Sequence, residues 1–175
     1  MDERQLLNDC LDGNVHAQKR LYENYSRKMF GVCLRYAPDY GMAEDLLQEG
    51  FIRVFTRLNT FRSQGSLEGW IRRIMVTTSL EMLRKKDVLR FGVELDHVEM
   101  LNDDTENIAE PADPEKVLKL IQEMPPGFRT VFNLYAIEDY KHSEIGQLLG
   151  ISEGTSKSQY ARARAWLLKR LTESK

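Results

Sequence analysis

The stretch SEIGQLLGISEGTSKSQYARAR, residues 143–164, decides how the C-terminal third of this chain is read. Ile145, Leu148 and Leu149 recur at helical spacing and give a first short helix one apolar stripe. Gly150 follows, where a sharp helix exit needs a positive φ that glycine adopts without steric cost. Ile151 then plugs the angle between two helices, and the Ser152 hydroxyl is placed to cap the second. The pattern is a helix-turn-helix.

The second helix separates its faces. At about 100° per residue, Tyr160, Ala163, Trp166, Leu167 and Leu171 fall on one side, which packs inward. The opposite side carries Ser158, Ala161, Arg162, Ala165 and Lys169, with Lys157 at its flank. Small residues there let a helix axis approach the floor of a DNA groove, while the arginine and lysines reach phosphates or guanine edges. A merely solvated helix has no use for small residues on its outer face.

Working outward, the chain has 175 residues, enough for one medium domain or two small ones. No apolar run approaches the length needed to span a bilayer, and the polar start MDERQLLNDC is not a secretory signal, so a cytoplasmic protein is expected. Cys10 and Cys33 form no CxxC pair, and His16, His97 and His142 are scattered, so neither a zinc site nor any cofactor is expected. Two buried, reduced thiols are the expectation. The net charge of −2 conceals a division. Residues 88–113 hold Glu94, Asp96, Glu99, Asp103, Asp104, Glu106, Glu110 and Asp113 against Arg90 alone, whereas residues 53–86 hold eight basic residues against Glu68 and Glu81. An acidic strip between two more basic bodies reads as a tether between two anion-binding modules.

Helical periodicity dominates both bodies, and the fold class expected is all-α. Helices are predicted over 3–12, 14–37, 41–58 and 66–86, then 114–123, 127–137, 142–149 and 153–172. Asn14 and Ser66 are placed as N-caps, and the second proline of MPPG suits the first turn of a helix. FGVELDHVEM, residues 91–100, is the one stretch with strand-like alternation. The expected organisation is two helical modules, 1–87 and 114–175, joined by a flexible linker over 88–113.

In the first module, GMAEDLLQEGFIRVFTRL places Leu47, Phe51, Val54, Phe55 and Leu58 on an inner face. The other face carries Asp45, Glu49, Ile52 and Thr56, with Leu46 and Arg53 beside it and Gln48 at the border. Apolar Leu46 and Ile52 among carboxylates read as a docking patch for a basic partner, or else as an ordinary amphipathic surface. Glu44, Asp45 and Glu49 as metal or acid–base ligands, the hydrolase reading, lack a neighbouring histidine or second acidic cluster. In FRSQGSLEGWIRRIMVTTSLEMLRKK, apolar stripes on both sides mark a central helix of a bundle. Between them run Trp70, Arg73, Thr77 and Arg84, preceded by Phe61 and Arg62. Rings and guanidinium groups together suit single-stranded DNA, and plain core packing fits Trp70 equally well.

In their order and spacing these segments resemble the extracytoplasmic-function sigma factors of bacterial RNA polymerase. AEDLLQEGFIRVF is similar to the family's second conserved region, FRSQGSLEGWIRRI to the promoter-opening segment after it, and MPPGFRTVFNLYAIEDYKHSEIGQLLGISEGTSKSQYARARAWL to its fourth region. The resemblance implies a transcription-initiation subunit without enzymatic activity. Its partners would be core polymerase, through the clamp helices of the largest subunit and the flap of the second-largest, and promoter DNA. An anti-sigma factor that clamps the two modules together is common in the family. By position, Asp45, Gln48 and Glu49 fall on polymerase-docking sites, where Leu46 and Ile52 would join them. Phe61, Arg62, Trp70, Arg73 and Thr77 fall in the strand-opening region, and Lys157, Ser158, Ala161 and Arg162, with Lys169 beyond, on the groove face of the recognition helix. In the family the linker threads the active channel. The chain departs from the family where Thr77 replaces an asparagine, Glu81 an aspartate, Ser156 a hydrophobic residue and Gln159 an arginine. The rival reading is a stand-alone helix-turn-helix regulator whose N-terminal half senses or dimerises.

Overall fold

The computed structural model describes residues 2–86, 89 and 113–173. All regular structure among them is helical: α1 (Glu3–Leu11), α2 (Val15–Tyr36), α3 (Tyr40–Arg57), a 3-10 turn (Leu58–Thr60), α4 (Leu67–Lys85), α5 (Pro114–Glu123), α6 (Pro126–Phe132) running into a π-helical turn (Asn133–Ile137), α7 (His142–Leu149) and α8 (Glu153–Glu173). The chain divides into two compact units, Met1–Met82 and Leu83–Lys175. Apart from Leu89 and Asp113, the acidic strip expected at 88–113 lies outside the described residues, as does FGVELDHVEM.

Side-chain caps fix where the helices begin. Asn14 Oδ1 accepts from the N–H groups of His16 and Ala17 at 3.0 and 3.2 Å, as its position predicts. Ser66 Oγ accepts from Gly69 N–H at 3.0 Å, and Asp113 Oδ1 from Glu115 N–H at 3.2 Å just before Pro114 opens α5. Asp39, which the sequence reading did not single out, caps α3 by accepting from Met42 N–H at 2.8 Å.

The N-terminal unit is built around α4. Ile71, Ile74, Met75, Val76, Ser79 and Leu80 are all buried, so the helix that is apolar on both sides does occupy the middle of the bundle. Leu21, Met29, Val32 and Cys33 of α2 and Leu46, Phe51 and Val54 of α3 complete the core. Cys10 and Cys33 are buried and unpaired, and burial pushes the Cys33 thiol up to about 12, so it is not a reactive group. Gly50 is the point where α3 meets α4: a methyl group at this position would land on the Met75 sulfur. Gly50→Val is therefore expected to lower the stability of this unit by about 1–3 kcal/mol through overpacking. Adding Met75→Ala should recover part of that loss in a denaturation series; a double variant no more stable than Gly50→Val alone would contradict the pairing.

In the C-terminal unit α5, α6 and α8 share one cluster, with Leu120, Ile121, Met124, Ala163 and Leu167 buried and Val117, Phe128, Trp166 and Leu171 at its edge. Arg129 lies inside the same unit at 1% exposure. Its Nη1 donates to the Gln122 carbonyl at 2.7 Å, near the C-terminus of α5, where a cation complements the helix dipole. Burial without a carboxylate brings its pKa down to about 10, which still leaves it charged at neutral pH.

Candidate nucleic-acid and partner interfaces

On α3 the inner stripe runs through Ala43, Leu46, Gly50, Phe51 and Val54, all buried, and Leu58 of the 3-10 turn continues it. This corrects the expected placement of Leu46 on the docking face: its exposure is 0%, and it belongs to the core. Gly50, one turn on from Leu46, lies on the same buried side, where the Met75 side chain of α4 fills the space a Cβ would take. Leu47 and Phe55, expected as core, sit half-buried at the edge instead.

A groove of about 520 Å³ lies between α2 and α3, lined by Tyr22, Phe30, Tyr40, Leu47, Phe51, Ile52 and Phe55, with Glu44 and Gln48 at its polar border. Tyr22 meets Phe51 edge-on at 4.7 Å, and Phe30 meets Tyr40 in the same way at 5.0 Å, which fixes the rings that form the walls. Ile52 is 55% exposed on the rim, and Asp45 and Gln48 are exposed beside it. Glu49 is half-buried and accepts from Arg53 Nε at 3.2 Å, and Arg53 Nη1 donates in turn to Glu81 of α4. Among the described residues no group of three or more histidine, cysteine, aspartate or glutamate side chains could hold a metal ion.

α4 leaves only a narrow line of its surface accessible. Trp70 is half-buried with its ring 5.5 Å from Phe61, Arg62 and Arg73 are exposed, and Thr77 is half-buried with its hydroxyl donating to the Arg73 carbonyl at 2.9 Å. Trp70, left open between core and stacking, is thus the half-covered end of an accessible strip.

The helix-turn-helix is formed by α7 and α8. Gly150 takes φ 67° at the C-terminus of α7, and Ser152 Oγ accepts from Thr155 N–H at 3.0 Å, both as the sequence predicts. Ile151 N–H donates to the Gly146 carbonyl at 3.0 Å. On α8, Ala163 and Leu167 are buried and Tyr160, Trp166 and Leu171 half-buried, the inner face expected. Lys157, Ala161 and Lys169 are exposed, and Ser158 and Arg162 half-buried beside them. Lys157 also pairs with Glu153 at 3.2 Å.

Two polar residues of α8 point inward, which periodicity did not reveal. Ser156 is fully buried and Gln159 nearly so. Ser156 Oγ lies 2.8 Å from His142 Nδ1, and the His142 ring stacks on Tyr135 at 4.1 Å and leans on Tyr160. Burial, then the nearby Lys157 charge, lowers the His142 pKa, with Glu153 opposing. A histidine whose folded pKa lies below its unfolded value favours the neutral form in the fold. Its contribution is fully present above the unfolded pKa and declines as pH falls below about 6.5. The C-terminal unit should melt at lower temperature at pH 5 than at pH 7. His142→Gln should flatten that part of the profile; an identical pH dependence in both proteins would count against it.

With this geometry in view, two family models match the chain in order: Sigma-70 region 2 over residues 21–88 and Sigma-70, region 4 over residues 115–167. The chain belongs to the sigma-70 family. It is an extracytoplasmic-function sigma factor by its relatives. It is 30% identical over 158 residues to the ECF RNA polymerase sigma factor SigE of Mycolicibacterium smegmatis, covering 84% of this chain and 58% of the length of that relative. To the ECF sigma factor SigW of Bacillus subtilis it is 27% identical over 172 residues, 92% of each protein. In fold it resembles the sigma factor RpoE, solved with the anti-sigma factor NepR from Bartonella quintana, at TM-score 0.54 and 19% identity, over 88% of this chain and 96% of that one. It also resembles CnrH, solved with the cytosolic domain of CnrY, at TM-score 0.52 and 19% identity, over 99% of both. No helix among the described residues of this sigma factor is long and apolar enough to cross a membrane.

Proposed function

We propose that this sigma factor binds core RNA polymerase through the α2–α3 groove and directs transcription initiation at promoters read by its two units. The single observation that carries the reading is the accessible face of α8. Lys157, Ala161 and Lys169 are turned to solvent, with Ser158 and Arg162 beside them, while the apolar side of the same helix is packed. Cations flanking small residues on a helix-turn-helix recognition helix fit the major groove, where the small side chains admit the helix and the cations hold phosphate or guanine.

The N-terminal unit divides the remaining tasks. The apolar groove with Ile52, Gln48 and Asp45 on its rim suits an amphipathic, basic helix of core polymerase, the clamp helices in the family. Glu49 supports that face, and Leu46 contributes only from beneath, as core. Phe61 and Trp70 offer ring faces for unstacked bases of the opened strand, and Arg62, Arg73 and Thr77 supply phosphate contacts and hydrogen bonds along the same strip. The C-terminal unit takes the upstream element and the flap of the second-largest subunit. The protein acts in the cytoplasm with polymerase, catalyses no reaction itself, and has an anti-sigma factor as a further partner. Two sigma regions in the family's order leave the stand-alone regulator without support.

The test is transcription in vitro from a cognate promoter with core polymerase, selected from genomic fragments. Arg162→Ala is expected to cost about 1–3 kcal/mol of discrimination between promoter variants at one position if the guanidinium reads a base. An equal loss on every promoter would assign Arg162 to the phosphate backbone.

A further inference from the structure

α4 is packed on nearly all sides, and its accessible strip runs through Trp70, Arg73, Thr77 and Glu81. Glu81 stands one turn beyond Thr77, at the end of that strip. It is gripped by Arg53 of α3, whose Nη1 donates to Glu81 and whose Nε donates to Glu49 at 3.2 Å. The Arg53 side chain is only 17% exposed, while those of Glu49 and Glu81 are 39% and 50% exposed. One guanidinium fork therefore serves two carboxylates that remain within reach of a partner. Glu49 follows Gln48 of the groove border on α3, beside the face assigned to polymerase, and Glu81 lies on the helix assigned to the opened strand.

We propose that Arg53 is a positioning residue for promoter opening, which couples the docking carboxylate Glu49 on α3 to Glu81 on α4 and so holds the strand-facing strip of α4 in register with the docked polymerase. This rests on the function proposed above. A cation brought to Glu49 by the partner competes with Arg53 for that carboxylate. Arg53 is then left more fully to Glu81, and α4 is held tighter in the complex than in the free chain. The coupling is reciprocal in free energy, so the Arg53–Glu81 tie changes core affinity by the same modest factor by which docking tightens the tie, because Arg53 shares its hold between the two acids; the larger effect on opening comes from the tie itself. An isolated exposed ion pair of this kind would contribute little. A largely covered guanidinium with two acceptors forms a network, whose members do not act independently.

The experiment uses the full chain with core polymerase on a promoter duplex. Core affinity is read by fluorescence anisotropy, and opening by permanganate reactivity of thymines in the melted segment. Arg53→Ala is expected to keep core affinity within about threefold and to lower the open fraction about tenfold. Glu81→Gln should lower opening similarly, the double variant should be no worse than either single one, and Arg53→Lys should restore part of the loss. Arg53→Ala that opens promoters like the unaltered chain overturns the proposal. So do additive losses, or losses in opening matched by equal losses in core affinity and melting temperature, which mark a purely structural tie. If Arg53→Ala does not fold, the exposed and near-isosteric Glu81→Gln decides by the same readouts. Absence of core binding by the unaltered chain sinks the functional reading and this proposal with it, whereas normal binding with unaffected opening in the variants sinks this proposal alone.

Discussion

Ile52→Arg is expected to weaken association with core polymerase by about a hundredfold or more, while the melting temperature of the free protein stays within a degree or two. The two halves of that expectation come from one fact. Ile52 is 55% exposed, so replacing it removes little from the folded chain. In a complex it would be the apolar knob on the rim of a groove walled by Tyr22, Phe30, Tyr40 and Phe55. Anchors at such positions carry a disproportionate share of binding energy because they are fully desolvated on association. Arginine adds a second penalty: the rim holds Glu44 and Asp45, which suit a basic partner, and a new cation there repels it. Isothermal titration or anisotropy with labelled protein measures the effect. A change below about threefold would remove the groove from the docking surface.

Gly146→Val is expected to show the second large effect, this time in the C-terminal unit. A Cβ at 146 would stand 2.7 Å from the Ile151 carbonyl oxygen and 3.6 Å from Glu153 N. Both are backbone atoms of the turn and of the first residue of α8, so no side chain can swing aside to make room. The turn must open, and with it the Ile151 N–H bond to the Gly146 carbonyl. Overpacking of this kind costs about 3 kcal/mol, partly offset by the better helix propensity of a non-glycine residue. The readable outcome is a C-terminal unit that melts earlier and loses upstream-element discrimination, with core binding through the N-terminal unit retained. Unchanged promoter discrimination in Gly146→Val would mean that the angle between α7 and α8 does not matter for reading DNA.

Much of this fold was written locally. Asn14, Ser66, Gly150 and Ser152 each sit where one side chain or one backbone angle ends or starts a helix, and each does so in the structure. The two-sided apolar pattern of α4 likewise needed no partner to be read. What failed depended on residues far apart in sequence. The α3 stripe was right at Phe51, Val54 and Leu58 but took Leu47 and Phe55 for core in place of Leu46, because the contact of Gly50 with Met75, twenty-five residues away, lies on the Leu46 side. The groove could not be seen because one side of it is closed by Tyr22 and Phe30 from another helix. Ser156 read as a departure from pattern on an exposed helix, yet its partner is His142, brought beneath it by the turn. Arg129 drew no reading, because nothing local shows that it ends under the C-terminus of α5. On the recognition helix Lys157, Ala161 and Lys169 face outward as helical phase predicts, while Ser158, Arg162 and Ala165 are half-buried at the edge of that face.

The most direct measurement is co-elution of the purified chain with bacterial core polymerase, followed by run-off transcription from a selected promoter. A stable one-to-one complex that starts transcripts at a defined position, from core that is inactive on that promoter alone, is the expected result. A chain that elutes apart from core polymerase, yet binds promoter duplex tightly and specifically by itself, would contradict it.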